Sequence, residues 1–373
     1  MDVTLRRGAI KIEASTTNPI FSLYLWSMKS PKKSAKYLIV CFIFSLFVLP
    51  LFFSCKKEVL PAQTQLHLGT VCTINLFESG TTDLYIKMFQ RLKSIEQTFS
   101  VRIADSSLSQ VNQSAGIAPV TVPQEVIYVL QEALRIAERT GGAFDPTIGP
   151  LVDLWDIGGD NSQVPSQEAI ERAISLVDWR LVKLDEEART VFLPKEGMSL
   201  DLGGIAKGFA ADQLVAIAQE AGVQRALFDL GGNIYAFGAK EDGSPWRVGV
   251  KNPQSPAGNP ALAVAVKDSS VVTSGMYERF FEQDGVRYHH ILNPVTGFPV
   301  WNDVQSVTIV SKSSMLADAL STSVFILGQE KGLKLLEAEN AEGVIIAVNN
   351  KVYPTSGMTN QLTVVTPSYQ VAE

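Results

Sequence analysis

Two adjacent histidines are the residues of this chain best suited to proton transfer near neutral pH. The sequence has only three histidines, and His289 and His290 lie together in the segment RYHHILNPVTG. Histidine is the usual proton carrier at that pH, so both are candidates for acid or base catalysis. On a strand their side chains point to opposite faces, so at most one can serve a given pocket. The alternative is a structural histidine beside the turn that residues 293–297 predict.

A carboxylate and a hydroxyl one helical turn apart are candidate metal ligands. Asp318 and Thr322 lie in the segment SSMLADALSTSVFILG, where Ser313 or Ser314 is predicted to cap a helix. Oxygen atoms so arranged suit a hard cation such as Mg²⁺, which usually completes its coordination with water and phosphate. Such pairs are also common on solvated helix faces, but this helix is largely apolar, which favours a buried site.

Glycine-rich turns provide a third kind of candidate site. In DLGGIAKGFAAD, Gly203, Gly204 and Gly208 allow backbone amides to approach a ligand, and the following helix offers free N–H groups for an anion. Lys207 adds a positive charge for phosphate. The spacing matches neither a Walker loop nor a Rossmann fingerprint, and a tight strand-to-helix turn is the alternative. With the segments FDLGGNIYAFG and TSG, these turns favour an extended phosphate-bearing ligand without identifying it.

Four segments predict the helices that must position these groups. They cover residues 84–99, 124–139, 166–176 and 208–222, with Ser166 as the cap of the third and Gly141 and Gly142 as the end of the second. Strands are predicted at 70–76, 180–184, 190–193, 225–230, 246–251, 262–266, 286–292 and 304–311. Because helices and strands mix without the regular alternation of a doubly wound sheet, the fold class is predicted to be α+β.

The N-terminal 54 residues have the layout of an export signal. Lysines precede the apolar run YLIVCFIFSLFVLPLFFS, which ends directly before Cys55. We expect residues 1–54 to be a signal segment, with Met28 as an alternative start, and Cys55 to carry lipid. A transmembrane anchor is the alternative, since the run has 18 residues. Residues 55–66 are then expected to form a tether, 67–360 the folded domain and 361–373 a C-terminal tail.

Net charge restricts the class of partner, and cysteine content restricts how the fold can be stabilised. Without residues 1–54, 25 basic and 36 acidic residues remain, a formal net charge of −11. Such an acidic body argues against nucleic acid as a partner. Cys41 lies in the predicted signal and Cys55 at the predicted lipid site, which leaves Cys72 alone. The core must therefore be large enough to be stable without an intrachain disulfide.

Eight segments, in this order, resemble the ApbE family of FAD:protein FMN transferases. The resemblance covers nearly all of the chain from His67 to about Gly357. The segments are LGT at 68–70, FSVRIADSSLSQVN at 99–112, GGAFDPTIGPLVDLW at 141–155, DLGGIAKG at 201–208, DLGGN at 229–233, TSG at 273–275, HHILNPVTG at 289–297 and ADALSTSVFILG at 317–328. The resemblance implies a single large α+β domain after the signal peptide, with a T-fold-like core of mixed sheet and packed helices.

The resemblance also implies a Mg²⁺ site and an FAD site. The metal ligands would be the carbonyl oxygen of Ala206, the carboxylate of Asp318 and the hydroxyl of Thr322, with an FAD phosphate completing the shell. His290 matches the catalytic histidine of the family. The residues implied to bind FAD are Leu68, Ser100, Val101, Arg102, Ala143, Phe144, Asp145, Lys207, Gly231, Gly232, Asn233, Ser274, Gly275 and Ile291.

Three features depart from the common pattern of the family. Leu68 stands where Met is common, and Val101 with Arg102 stand where Thr and an aromatic residue are common, so flavin or adenine contacts there are expected to differ. Asn293 replaces a commoner Asp, which leaves no carboxylate at this position to assist His290.

The activity that the resemblance implies is Mg²⁺-dependent transfer of the FMN half of FAD to a threonine of a partner flavoprotein, with release of AMP. The implied acceptors are exported or membrane subunits of the Rnf type or of sodium-translocating NADH:quinone reductases (Nqr type). The implied location is the bacterial periplasm, with a lipid anchor in a membrane. Two alternatives stay open at this point: an FAD pyrophosphatase that uses water as the nucleophile, and a non-catalytic FAD-binding lipoprotein.

Overall fold

The computed structural model describes residues 59–255 and 258–372. The predicted signal segment and Cys55 lie outside these residues. Within the part of the chain that is described, no helix combines the length and the apolar character needed to cross a membrane.

Most strands belong to one nine-stranded sheet. In chain order the strands are β1 (Gln63–His67), β2 (Thr70–Asn75), β3 (Val120–Thr121), β4 (Lys183–Asp185), β5 (Thr190–Phe192), β6 (Ala226–Leu230), β7 (Asn233–Phe237), β8 (Trp246–Lys251), β9 (Pro260–Val266), β10 (Ser269–Gly275), β11 (Phe280–Gln283), β12 (Val286–His289), β13 (Val304–Ser311), β14 (Glu342–Ala347), β15 (Lys351–Pro354), β16 (Leu362–Val364) and β17 (Gln370–Val371). The large sheet has the order β1-β2-β6-β7-β10-β13-β14-β15-β17. Its neighbours pair antiparallel except β15 and β17, which pair parallel. Smaller sheets have the orders β16-β9-β8, β3-β5-β4 and β11-β12.

Eight α-helices accompany these strands within the described residues. They are α1 (Thr82–Phe99), α2 (Ser107–Gln113), α3 (Gln124–Arg139), α4 (Gly149–Trp155), α5 (Gln167–Ile174), α6 (Ala206–Glu220), α7 (Ser314–Leu327) and α8 (Gln329–Ala338).

The central strands of the large sheet are buried on both faces because they direct alternate side chains to two different cores. Val307 and Ile309 of β13 belong to the larger core, which also contains Leu92 of α1 and Leu320 of α7. Val310 of β13 belongs to a second core, shared with the sheet β16-β9-β8. The helices and the small sheet therefore cover opposite faces of the large sheet.

A third, smaller core supports the turn that follows the two histidines. Trp155 of α4 is fully buried and packs against Tyr288 and Phe298, at ring-centroid distances of 5.6 Å for both. Its indole Nε1 donates a hydrogen bond to the carbonyl of Gly297 at 2.7 Å. The position of the turn is thus tied to a helix from another part of the chain.

The α+β prediction and the four predicted helices are confirmed. The apolar stripe of α1 places Leu92 in the core, and the Ser166 hydroxyl accepts from the amide of Ala169 at the start of α5. Helix α3 ends where Gly141 and Gly142 take positive φ angles of 60° and 85°. Helix α6 begins two residues before the predicted start, at Ala206.

Several boundaries differ from those expected. Most of strand β1 lies within the expected tether, and the strand pairs with β2, so the sheet begins before residue 67. The expected tail contains β16 and β17, which pair with β9 and β15. The predicted strand 180–184 starts as a 3₁₀ turn, Trp179–Leu181, because Asp178 caps it. The predicted strand 286–292 ends at His289, because the chain then leaves β11 and Leu292 pairs with Pro299.

Candidate functional site

The starts of two helices bring the predicted metal ligands together. Ala206 is the first residue of α6, while Asp318 and Thr322 lie one turn apart on α7. The amide of Gly208 donates to Oδ2 of Asp318 at 2.9 Å. A Cβ on Gly208 would lie only 2.3 Å from the carbonyl oxygen of Ser314, so the two helices touch backbone to backbone. Only glycine allows this approach without displacement.

The carboxylate of Asp318 is almost completely buried, with 5% of its side chain exposed, and a lysine faces it. Lys207 Nζ lies 3.5 Å from Oδ1 of Asp318. The same nitrogen donates to the carbonyl of Gly203 at 3.1 Å. Helix α7 thus holds its carboxylate beside the glycine turn and beside the positive charge of Lys207.

The hydroxyl of Thr322 lies against the same glycine turn. A Cβ on Gly204 would lie 3.4 Å from Oγ1 of Thr322 and 3.2 Å from Cε2 of Phe144. The donor set of a carboxylate, a hydroxyl and the carbonyl of Ala206 consists of hard oxygen atoms and fits Mg²⁺. Among residues 59–255 and 258–372, no cluster of three or more His, Cys, Asp or Glu side chains offers an alternative metal site.

The two adjacent histidines use their ring nitrogens differently. Nε2 of His289 lies 2.8 Å from the carbonyl of Val300, and its Nδ1 accepts from the amide of Ile291 at 3.3 Å, so both nitrogens are engaged. Nδ1 of His290 lies 3.2 Å from the carbonyl of Arg279. A carbonyl only accepts, so Nδ1 carries the proton and Nε2 of His290 keeps its lone pair.

Both histidines are held in the neutral form at pH 7. Burial lowers the pKa of His289. Burial, together with the positive charges of Arg279 and Lys207, lowers the pKa of His290 to about 3. Neutral His290 can accept a proton through Nε2, whereas His289 has a structural role.

A buried network of polar side chains underlies the second glycine turn. Oδ1 of Asn233 accepts from Ser314 Oγ at 2.7 Å and from Ser270 Oγ at 3.4 Å. Asn233 is 1% exposed, and its buried Nδ2 has no hydrogen-bond partner in the described part of the chain, which makes it a candidate donor to a ligand. Gly231 packs against Thr70, since a Cβ there would meet its hydroxyl at 2.1 Å.

The TSG segment ends β10 beside helix α7. The hydroxyl of Ser274 lies 2.8 Å from that of Ser321, which donates to the carbonyl of Asp318 at 2.8 Å. Gly275 pairs with Ser306 of β13. One hydrogen bond therefore connects the end of β10 to α7, the helix that carries the candidate ligands Asp318 and Thr322.

The loop after α3 is organised by a buried carboxylate. Asp145 accepts from the amide and hydroxyl of Thr147 at 2.8 and 2.6 Å, and from the amide of Trp179 at 3.2 Å. Burial raises the pKa of Asp145. The amide of Asp201 donates to the carbonyl of Pro146 at 2.9 Å, which joins this loop, including Ala143 and Phe144, to the first glycine turn.

The segment 99–112 reaches the same turn through Asn112. This side chain exchanges two hydrogen bonds with the backbone of Leu200, at 3.0 and 2.8 Å. Ser100 accepts from the amide of Arg102 at 3.2 Å, and Arg102 itself is exposed. Val101 packs partly against the large core.

Three further residues predicted to bind FAD are Leu68, Gly232 and Ile291. Leu68 forms the β1–β2 hairpin turn with Gly69, at φ angles of 54° and 67°. Ile291 is 5% exposed. The amide of Gly232 donates to Asp229 at 3.0 Å. The place of these three residues at an FAD site stays a prediction, as does that of the other residues implied to bind FAD.

Asn293 begins the turn that residues 293–297 predict, and the structure shows how its side chain forms it. Its Oδ1 accepts from the amides of Val295 and Thr296 at 2.8 and 3.2 Å. An asparagine side chain in this position stabilises the turn itself. A cleft of about 260 Å³ lies beside this turn and is bordered by Thr296, Trp301 and Ile326.

Asp212 has a structural role that the sequence does not predict, although it lies in the segment DLGGIAKGFAAD. Its carboxylate accepts from the amides of Ser314 and Met315 and from the hydroxyl of Ser313. Burial raises the pKa of Asp212. The sequence gives no signal for these contacts, because the partners are more than 100 residues away.

Comparison with known proteins identifies relatives over most of the chain. Residues 68–346 match the sequence model of the ApbE family. The FAD:protein FMN transferase of Treponema pallidum is 40% identical over 321 residues, which cover 81% of this chain and 89% of the relative. The enzyme of the same name from Klebsiella pneumoniae is 37% identical over 307 residues, covering 82% and 95%. The solved ApbE protein of Thermotoga maritima has a TM-score of 0.74 at 32% identity, covering 80% of this chain and 98% of its own.

Proposed function

The chain belongs to the ApbE family, and on this basis we propose that it transfers the FMN moiety of FAD to a threonine hydroxyl of a partner flavoprotein, in a Mg²⁺-dependent reaction that releases AMP. Several relatives are named FAD:protein FMN transferase, which supports the transferase activity. The structural observation that carries the proposal is the meeting of Asp318, Thr322 and Lys207 at the first glycine turn.

The proposed Mg²⁺ ligands are the carbonyl of Ala206, the carboxylate of Asp318 and the hydroxyl of Thr322. When bound, Mg²⁺ neutralises the negative charge that develops on the pyrophosphate and on the leaving AMP. Lys207 supplies a second positive charge for the phosphates, and the buried Nδ2 of Asn233 is a donor available to the flavin nucleotide. These groups hold FAD so that its FMN-side phosphorus is open to attack.

His290 is proposed as the general base. Its Nδ1 donates to the Arg279 carbonyl, which leaves Nε2 free to take the threonine proton. The threonine oxygen then forms a bond to the FMN-side phosphorus, and the bond from that phosphorus to the AMP oxygen breaks. The product is a phosphoester-linked flavin. His289 cannot replace this base, because both of its nitrogens are engaged.

A single assay distinguishes this reaction from its nearest alternative. The protein is incubated with FAD, Mg²⁺ and an acceptor domain that contains the threonine, and intact mass and nucleotides are measured. A gain of one FMN less one water on the acceptor, with AMP released, supports the transferase, and loss of both in His290→Ala and Asp318→Ala supports the site. FMN and AMP without acceptor labelling would establish an FAD pyrophosphatase instead, and unchanged FAD would leave only a binding protein.

The proposed acceptors are exported or membrane flavoprotein subunits of the Rnf or Nqr type, and the proposed location is the periplasm. Support for this location is the apolar run before Cys55, with lysines ahead of it. Cys55 would carry the lipid anchor. Cell fractionation and lipid labelling of Cys55→Ser test this proposal, with Cys41→Ser as the matched control. A Cys55→Ser protein that stays lipid-labelled would contradict it.

A further inference from the structure

The carboxylate of Asp212, on α6, reaches the start of α7. Oδ1 accepts from the amide of Ser314 at 2.7 Å, and Oδ2 accepts from the amide of Met315 at 3.0 Å and from the hydroxyl of Ser313 at 3.1 Å. These amides are among the first of a helix, which have no partner within it. The positive end of the helix dipole also favours a carboxylate there. Asp212 therefore connects two helices that are distant in sequence.

Helix α7 already has its own cap. The hydroxyl of Ser313 accepts from the amide of Leu316 at 3.2 Å, as an N-cap residue does. The bonds from Asp212 come on top of this local cap. Their distinctive effect is to fix where α7 starts relative to α6.

The two connected helices carry the proposed metal ligands. Ala206 begins α6, six residues before Asp212, and Asp318 and Thr322 follow the start of α7 by one and two turns. A second connection between α6 and α7 is the hydrogen bond from the amide of Gly208 to Oδ2 of Asp318, at 2.9 Å. Asp212 and Gly208, which both follow Ala206 on α6, are thus two fixed points between the helices.

We propose that Asp212 is a positioning residue, which sets the distance between the carbonyl of Ala206 and the side-chain ligands Asp318 and Thr322. This inference rests on the proposed function, since it concerns the same Mg²⁺ site. Mg²⁺ requires near-ideal octahedral geometry with oxygen atoms at about 2.1 Å, so small shifts between the helices weaken its binding. Asp212 does not need to touch the metal or FAD to have this effect.

The test uses the full chain, purified in detergent, and the variant Asp212→Asn. The amide keeps the size of the side chain but loses its charge and one acceptor. Binding of Mn²⁺, a spectroscopic substitute for Mg²⁺, is measured by electron paramagnetic resonance in the presence of FAD. We expect the dissociation constant for Mn²⁺ to rise about 10-fold or more, the size of effect seen for groups that orient metal ligands. The Mg²⁺ concentration for half-maximal FMN transfer should rise in parallel, with the rate at saturating Mg²⁺ within about threefold of wild type.

Ser313→Ala is the matched control at the same helix start. It removes the local cap and one donor to Asp212 but leaves the two backbone bonds between the helices. It should lower the thermal midpoint while Mn²⁺ affinity changes less than about threefold. If Asp212→Asn does not fold, Asp212→Glu keeps the charge and displaces the carboxylate, and the same loss of Mn²⁺ affinity is expected.

Unchanged Mn²⁺ affinity in the folded Asp212 variant, or an equal loss in Ser313→Ala, would overturn the positioning role. Failure of the proposed function gives a different pattern. In that case the wild-type protein itself would show no FMN transfer that depends on Mg²⁺.

Discussion

Lys207 Nζ lies 3.5 Å from Oδ1 of Asp318, the carboxylate that is proposed to bind Mg²⁺. The other carboxylate oxygen, Oδ2, accepts from the amide of Gly208 at 2.9 Å. A divalent cation bound to Oδ1 would therefore compete with the lysine for that oxygen. The affinity for metal would then depend on anything that draws the lysine away, such as a phosphate group.

The first prediction is that Lys207→Gln binds metal more tightly and FAD more weakly than wild type. In the absence of FAD, Mn²⁺ affinity should rise up to about fivefold, the equivalent of a partly exposed ion pair of up to about 1 kcal/mol. FAD affinity should fall because a positive charge near its phosphates is lost. Resonance titration of Mn²⁺ and quenching of flavin fluorescence measure the two effects. Lys87→Gln removes a surface ion pair elsewhere and is the control, and equal effects in both variants would contradict the prediction.

The second prediction concerns acid stability. The pKa of His290 is lowered to about 3 and that of His289 is also lowered, so between about pH 3 and 6.5 the unfolded chain binds more protons than the folded one. Their contribution to stability is complete above about pH 6.5 and is lost as the pH falls below it. The thermal midpoint of wild type should fall more steeply between pH 7 and pH 5 than that of His290→Gln. Parallel curves would show that this histidine is not held neutral.

The third prediction is that Gly208→Ala weakens metal binding more than its loss of stability alone explains. The new Cβ would lie 2.3 Å from the Ser314 carbonyl and must push α6 and α7 apart. Overpacking of this kind costs about 1–3 kcal/mol, which outweighs a gain in helix propensity of up to about 1 kcal/mol. Chemical denaturation and Mn²⁺ titration measure the two effects. Gly249→Ala, where the nearest atom is 3.4 Å away, should leave both nearly unchanged.

The fourth prediction is that FMN transfer depends on the turn after His290 and not only on the overall stability of the fold. Trp155→Phe leaves the Gly297 carbonyl without its indole partner, which should cost about 1–3 kcal/mol and loosen the turn. FMN transfer should fall several-fold at a temperature where the variant is fully folded. Trp246→Phe removes a similar bond, 3.1 Å to the Gly238 carbonyl, and is the control. Equal activity of the two variants would show that the turn does not need this support.

Local patterns in the sequence were sufficient for the helices that carry a regular apolar stripe or a clear cap. Ser166 and the pair Gly141 and Gly142 mark the ends that the structure shows. Strands β7 and β10 were not predicted, because both are buried on two faces of the sheet and lack the alternation that identifies a strand. The sequence predicts a tether over most of β1, since its side chains are largely exposed and its pairing with β2 is not visible in composition.

In the candidate site too, local sequence patterns predict some features but not those that depend on residues distant in sequence. The spacing of Asp318 and Thr322 follows from helix geometry, so their common face could be predicted. Local sequence could not predict which histidine keeps a free ring nitrogen. That depends on hydrogen bonds to the carbonyls of Val300 and Arg279, each 11 residues away in sequence. The bonds of Asp212 to α7 depend on contacts across more than 100 residues, which no local pattern contains.

The strands of the large sheet occur across it in chain order, from β1 to β17. Each connection therefore leaves one strand of the sheet and returns to the neighbouring strand. The proposed ligands and the two histidines lie in or at the ends of these connections. Such a connection can lengthen, shorten or be exchanged without changing which strands pair. The segment from β10 to β13, with His290 and the turn after it, is one such connection, and the Trp155 indole that donates to the Gly297 carbonyl fixes it to α4. A segment taken from a relative would therefore have to keep a partner for this indole.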